Sequence, residues 1–371
     1  MKYKIALLTN TLSKPGGAEY VTIAMYKSLK EEKNLHVNIL GREKSVDIET
    51  LNSWLVSSIS HELSKDYIYM HRFPLNLLEL KDYDLVINTR SNEVLTPAHI
   101  HYLHWIFSPY GVKDSEALAY YRVSYGIGDK VLEHSVRHAF HFMQLKISRF
   151  ILANSRYVAS LLKDLGINAT ILYPPVRSRE IAQITTGSEW SNRENIVITT
   201  TRIASGKQLE TIPLIASRVR DAKFILVGSL QDRNYYIKLL RLKKIFGSDN
   251  FIIIPNVNNR ELYELLGRAL IYLHTARHEP FGIAVVEAMA AEAIPLVHRS
   301  GGPWHDILEE RNGLYGYSYE SINEAIQILK DIILNKHAYK DVSERARLKA
   351  LTFDEQSFKI RFRKIIKRFY D

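Results

Sequence analysis

The stretch HEPFGIAVVEAMAAEAIP, residues 278–295, decides how the rest of the chain is read. Before it stands LIYLHTA, residues 270–276, a short apolar run that reads as a buried strand. After Gly282 the pattern becomes alanine-rich and helical, so the local order is strand, tight turn, helix. Pro280 stops the strand pattern and Gly282 lets the backbone turn closely into the helix. Glu279 then stands in the loop at the strand's C-terminal edge. Glu287 lies about one to one and a half turns into the helix, at about 3.6 residues per turn. The free N–H groups of that first turn suit an anion. One carboxylate is placed for sugar hydroxyls and the other for a ribose diol, with a diphosphate between them. A bare pair of glutamates at this spacing is common by chance. The strand, the Pro-Phe-Gly insert and the helix around it make the combination specific.

Working outward, 371 residues suggest two domains, each able to bury its own core. Hydrophobic content of 46% with 24% charged residues is that of a soluble globular protein. No apolar run reaches the roughly 20 residues of a membrane span. The N-terminal MKYKIALLTN has an apolar centre too short for a signal peptide, so it reads as a first strand and the expected location is cytoplasmic. With no cysteine, disulfides, thiolate zinc sites and a cysteine nucleophile are excluded. The net charge of +10 suits a polyphosphate-like ligand, an anionic lipid surface or nucleic acid. The cations are scattered except near the C-terminus, which argues against a nucleic-acid groove.

Residues 3–9 read as a strand, followed by the turn LSKPGG and a helix over about 18–32 whose buried stripe is Val21, Ala24, Met25 and Leu29. This opens a doubly wound α/β domain, and Gly16 and Gly17 would bring backbone N–H groups beside a phosphate. A plain strand-to-helix turn explains the glycines equally well. Further strands are read at 37–41, 85–88 and 99–105. Asp82-Tyr83-Asp84 has the look of a metal-holding pair, but acids before a strand more often form a solvated loop, and no metal is expected. Of the three histidines in HIHYLHW, His104 is favoured over His99 and His101 because ligands of open α/β sheets bind at the strands' C-terminal ends. A helical region spans about 115–148, FILANS is the next strand, and Ser155 caps the following helix. The polar segment 177–193 reads as an interdomain linker.

The second half repeats the alternation. NIVITTTR, AKFILVGS and FIIIPN read as strands, and Arg202 and Lys207 bracket a strand-to-helix turn where two cations would neutralise a diphosphate without metal. SGGP, residues 300–303, forms another glycine turn. Residues 354–369 form one amphipathic helix with Phe358, Phe362, Ile365, Ile366 and Phe369 on one face. Packing of that face on the domains is the favoured reading, and contact of its basic face with an anionic membrane surface is the other.

GGAE at residues 16–19, ANS at 153–155, YPPV at 173–176, Arg202 with Lys207, LVGS at 226–229, EPFGIAVVE at 279–287 and SGGP at 300–303 together resemble the retaining, nucleotide-sugar-dependent glycosyltransferases of family 4. YLHW with Ser108-Pro109, and SGGPWHDIL, resemble most the branch that elongates lipid-linked oligosaccharides with mannose. The resemblance implies the GT-B fold, two Rossmann-like doubly wound domains facing a cleft. They would be an acceptor domain over 1–177 and a donor domain over 178–350, with a C-terminal helix over 351–371 packing back toward the first. It implies that Glu279 contacts donor-sugar hydroxyls and that Glu287 holds the ribose. Arg202 and Lys207 would bind the diphosphate, with Gly16, Gly17, Gly228, Phe281, Gly282 and Ile283 completing the donor site, and His104 would lie near the sugar. The donor would be GDP-mannose or a UDP-hexose, the acceptor a glycan or lipid-linked glycan, and no metal would be needed. One departure is visible: Glu292-Ala293 stands where such chains usually carry a glycine. The resemblance also implies same-face attack by the acceptor hydroxyl, with no covalent enzyme intermediate.

A nucleotide-sugar epimerase or a phosphorylase on the same fold is the rival reading, separated by turnover of donor alone or dependence on inorganic phosphate. A nucleic-acid-binding protein is the remote one, and it predicts steeply salt-dependent oligonucleotide binding.

Overall fold

The computed structural model describes residues 2–12, 16–44, 46, 48–52, 57–71, 76–90, 96–106, 131–186 and 190–370. The chain divides into two compact units. Among the described residues, the first runs up to Pro175 and regains the chain from Glu355; the second is Val176–Asp354. Each is built on one parallel sheet.

In the first unit the strands are β1 (Tyr3–Leu8), β2 (Leu35–Gly41), β3 (Tyr67–Tyr69), β4 (Leu85–Asn88), β5 (Ile100–Leu103), β6 (Phe150–Ala153) and β7 (Thr170–Ile171), in the order β3-β2-β1-β4-β5-β6-β7. Ile5 sits between Val37 and Leu85 in register, and all three are buried. Apolar strands with both faces covered are what a parallel sheet requires, because the returning helices cover both sides. The helix Gly17–Lys30 makes the first return, burying Val21, Ala24, Met25 and Leu29.

The second unit holds β8 (Glu194–Thr200), β9 (Lys223–Gly228), β10 (Phe251–Pro255), β11 (Ala269–His274), β12 (Ile294–His298) and β13 (Tyr317–Tyr319), ordered β10-β9-β8-β11-β12-β13. Ile198 of β8 is flanked by Ile225 of β9 and Tyr272 of β11. In each sheet the winding reverses beside its first strand, between β1 and β4 and between β8 and β11. Ligands of such sheets bind outside the carboxyl ends at that reversal.

Two sequence expectations need correcting or completing. The segment 177–193 is no linker: Ser178–Ile184 is a helix with Ile181 and Ala182 buried, and Trp190 joins the second unit's core. Its few apolar positions are diluted by Ser, Arg, Glu and Gln, which is why no period is visible. The helical region expected over 115–148 appears as Val131–Ile147, its earlier part lying outside the described residues, as do Ser108 and Pro109.

The last helix, Glu355–Ile366, packs back on the first unit as expected. Phe358, Phe362, Ile365 and Ile366 enter the core shared with the helix Gly17–Lys30. Glu355 accepts from Lys27 Nζ at 3.0 Å and from the Tyr20 hydroxyl at 2.5 Å, and Lys359 reaches Glu31 at 2.8 Å.

Candidate active site

At the reversal point of the second sheet the chain leaves β8 toward Arg202 and Lys207, and leaves β11 toward Glu279. The two exits are tied together, since Thr275 Oγ1 donates to the Lys207 carbonyl at 2.7 Å. Lys207 Nζ then donates to Glu279 Oε2 at 2.6 Å, with side chains 17% and 20% exposed. Burial alone would raise the Glu279 pKa. The adjacent Lys207 charge outweighs it, Arg202 acts in the same sense, and the carboxyl is held below its usual range. Arg202 itself is exposed. The result is a carboxylate kept ionised by the Lys207 bonded to it, with the charge of the exposed Arg202 adding to the effect.

Glycines decide how closely this loop is packed. Gly301 has φ +71°, and a Cβ there would lie 2.5 Å from the Glu279 carbonyl oxygen. A Cβ on Gly302 would meet the Pro280 carbonyl oxygen at 2.4 Å. The Gly302 N–H donates to the Glu279 carbonyl at 2.8 Å, and His278 N donates to Ser300 Oγ at 3.0 Å. SGGP is therefore the seat on which HEPFG rests. Gly282, at φ +97°, starts the helix Ile283–Ala290 from the left-handed region, and Phe281 is buried edge-on to Phe353. Ile283 is the first helical residue. Gly228 ends β9 against Thr201, where any Cβ would fall 1.6 Å from the carbonyl oxygen, so only glycine lets the strand end beside Arg202.

Glu287 lies on the helix Ile283–Ala290 in different company. Burial pushes its carboxyl up to about 7; Arg177 draws it down and Glu180 adds to the rise. Tyr263, bonded to Arg177, shares this cluster. The Tyr272 phenol, bonded to Thr200, is raised chiefly by burial, and the charges of both glutamates add to the rise. The pair is thus an ionised Glu279 and a Glu287 that titrates near neutrality.

His274, at the end of β11, was not singled out by sequence. It is buried, its Nδ1 has no hydrogen-bond partner among the described residues, and burial lowers its pKa to about 4. Arg177 and Thr275 were also missed. Arg177 lies far from Glu287 in sequence, and no local pattern links them. The unusual Glu292 adopts φ +63°, the left-handed conformation that glycine fills most easily. Its carboxylate pairs with Arg347 and lies 3.5 Å from the buried Arg193.

Gly16, Gly17 and His104 belong to the first unit. Gly16 precedes the helix Gly17–Lys30, and its N–H donates to Glu19 Oε2 at 2.9 Å. A carboxylate of the chain itself therefore occupies that donor. His104 follows β5 directly, edge-on to Tyr102, and burial lowers its pKa to about 4 against a backbone hydrogen bond to Thr89. It is a neutral imidazole at the C-terminal edge of its sheet. His101 is buried within β5 and His99 precedes it. Asp84 accepts the Lys4 N–H at 2.8 Å, a structural task, and no metal-holding group of His, Asp and Glu occurs among the described residues.

Two parallel sheets of this order and a C-terminal helix returning to the first unit define the GT-B fold. Anabaena HepE, solved with UDP and glucose, superposes with a TM-score of 0.70 at 16% identity over 99% of this chain and all of that one. The sucrose-phosphate synthase of Thermosynechococcus elongatus gives 0.71 at 14% identity, over 100% and 99% of the two chains. Residues 182–349, which carry Arg202, Lys207, Gly228, Glu279 and Glu287, match the family model of glycosyl transferases group 1. A Dictyostelium discoideum GDP-Man:Man(3)GlcNAc(2)-PP-Dol alpha-1,2-mannosyltransferase is 26% identical over 240 residues, 59% of this chain and 47% of that protein. The chain thus spans about half the length of that curated relative.

Proposed function

We propose that this chain is a retaining glycosyltransferase that moves a hexose, mannose in first place, from a nucleoside-diphosphate sugar to a glycan or lipid-linked glycan. The observation that carries the reading is the meeting of Lys207, Arg202 and Glu279 at the reversal point of the second sheet. The printed substrates of the mannosyltransferase relative support GDP-mannose and a lipid-linked acceptor. The UDP and glucose held by HepE support a UDP-hexose as the second choice.

In this reading the second unit holds the donor and the first the acceptor. Glycosyl transfer passes through an oxocarbenium-like state while the nucleoside diphosphate departs with growing negative charge. Lys207 and Arg202 stabilise that charge, helped by the N–H groups at the start of the helix Ile283–Ala290. Glu279, kept ionised, accepts hydrogen bonds from hydroxyls of the transferred sugar. Glu287 takes the ribose diol. His104, neutral at physiological pH, orients the sugar from the first unit, and Gly16-Gly17 offers backbone to the phosphates once the donor displaces Glu19 from the Gly16 N–H. The acceptor hydroxyl attacks the face the diphosphate leaves, its proton passing to a departing phosphate oxygen, so configuration is retained with no covalent enzyme intermediate. The proposed setting is the cytoplasmic face of a membrane.

A thermal-shift screen of nucleotide sugars tests the reading. A donor at a hundredfold excess over its Kd stabilises by about 2.7 kcal/mol. GDP-mannose is expected to give the largest shift. A larger shift from UDP-glucose would overturn the sugar choice, and no shift from any nucleotide sugar would overturn the function. Turnover of donor without acceptor would point to an epimerase instead.

A further inference from the structure

His298 closes β12 and takes no part in the proposed chemistry, yet the loop that carries Glu279 is held on either side of it. At the loop's start, the Tyr319 hydroxyl donates to the carbonyl of His274, the last residue of β11, at 3.1 Å. At its end, one residue before Glu279, the His278 N–H donates to Ser300 Oγ at 3.0 Å. The His298 ring reaches both holds. It lies edge-on to Tyr319, with ring centroids 5.6 Å apart and planes at 84°, and its Nδ1 is 2.8 Å from Ser300 Oγ. The sheet fixes the ring from behind, because His298 is in register with Tyr319 of β13.

The second hold acts on a strained backbone. His278 has φ +51°, a left-handed conformation that persists only where the surroundings enforce it. That turn sets the direction in which the chain presents Glu279. Ser300, itself buried, enforces it with one oxygen. A backbone N–H can only donate, so Ser300 Oγ accepts from His278. The Ser300 hydroxyl hydrogen then needs an acceptor, since buried hydroxyls are paired. Among the described residues, His298 Nδ1 is the acceptor within reach. A ring protonated at Nδ1 would leave that hydrogen unpaired, so the imidazole is neutral and carries its proton on Nε2. Burial favours the same state, lowering the His298 pKa to about 4, and the charges of Arg277, His278, His274 and Arg299 act in the same sense.

A serine beside an imidazole also suggests a nucleophile. A nucleophile needs an accessible oxygen, however, and Ser300 is buried with its oxygen already engaged by His278. We propose that His298 is a positioning residue for Glu279: it accepts the Ser300 hydroxyl through Nδ1, and Ser300 so anchored holds the turn at His278 that aims the carboxylate. The inference rests on the reading of Glu279 as the group that binds the transferred sugar, and it adds a residue that itself touches no substrate.

The test compares His298→Phe, His298→Asn and Ser300→Ala in sugar transfer, with GDP-mannose and UDP-glucose offered as donors. Phenylalanine keeps a ring against Tyr319 and removes the acceptor, whereas asparagine returns an acceptor oxygen close to the Nδ1 position. His298→Phe and Ser300→Ala should each lower kcat/KM roughly tenfold, the loss of one buried hydrogen bond, while GDP and UDP without the sugar bind as to wild type. His298→Asn should recover to within roughly threefold of wild type. The double variant His298→Phe/Ser300→Ala should be no worse than either single one, because both remove the same link. Ser300→Ala and His298→Asn carry the comparison if phenylalanine is not tolerated. A His298→Asn protein as slow as Ser300→Ala would overturn the proposal, as would losses that multiply in the double variant or weakened binding of the free nucleotide. Imidazole ¹⁵N shifts of the donor-free chain judge the link apart from the chemistry: an unprotonated Nδ1 is expected at pH 7, and a protonated one would overturn it. A wild type that transfers no sugar but shows the unprotonated Nδ1 would overturn the proposed function and leave the His298–Ser300 link standing.

Discussion

Lys207 Nζ and Glu279 Oε2, 72 positions apart in sequence, meet at 2.6 Å in a loop pair clamped by the Thr275 hydroxyl. The cation proposed for the leaving diphosphate and the carboxylate proposed for the sugar hold each other in register. Each therefore keeps its charge and position before a donor arrives, the preorganisation that makes charge stabilisation effective.

Glu287 gives a pH-dependent prediction. Its folded pKa of about 7 lies above the ordinary value of 4.5, so the proton is bound more tightly in the fold. Any stability this lends is complete below about pH 4.5 and is lost as pH rises through about 7. Glu287→Gln should then melt higher than wild type at pH 8, by up to roughly 3 kcal/mol. The same variant should bind donor more weakly at pH 8, where wild-type binding is strongest. Melting curves at pH 5 and pH 8, with and without donor, measure both; equal stability at pH 8 would contradict the assignment.

Gly301→Ala should damage the site without touching a charged group. The added methyl needs space held by the Glu279 backbone, and φ +71° disfavours it further. A loss of roughly 1–3 kcal/mol is expected, with transfer falling further than stability explains because Glu279 is displaced. Gly313→Ala is the control: it shares a positive φ of +81°, but its nearest neighbour is the Tyr317 hydroxyl at 3.6 Å. Equal kinetics in the two variants would remove the claim that SGGP seats Glu279.

Glu292 sets two local effects against each other. Replacing it with glycine relieves a left-handed backbone worth about 1 kcal/mol. It also strips a counter-charge from Arg193, whose guanidinium is buried and donates to the Ala269 and Ala291 carbonyls at 2.7 and 2.6 Å. Burial already lowers the Arg193 pKa to about 10, so loss of the carboxylate should dominate. Glu292→Gly should be less stable by about 2 kcal/mol or more on denaturant titration, and a more stable variant would show that the backbone prevails.

Transfer should persist in EDTA, since the proposed leaving-group charge falls on Lys207 and Arg202. A strict requirement for Mn²⁺ would instead demand a metal-binding pair in the donor pocket.

The alternation of apolar runs with amphipathic stretches was enough to read the doubly wound class, because buried parallel strands such as LIYLHT carry their own signature. Lys207 and Glu279 were legible for the same reason: each follows such a strand. The partners of Glu287 were not, since Arg177 reaches it from a short helix whose polar composition looks like a linker. Gly301 and Gly302 were visible as a turn, yet their task, admitting the Glu279-Pro280 backbone, depends on a packing distance no spacing encodes. The same limit hid the engagement of the Gly16 N–H by Glu19.

The most direct test of the central claim is the transfer rate of Lys207→Ala at saturating donor, alongside its melting temperature. Loss of a preorganised positive charge at the leaving group should cut turnover by about 10²–10³ or more with the fold intact. A stable Lys207→Ala protein that transfers sugar at near wild-type rate would contradict the account.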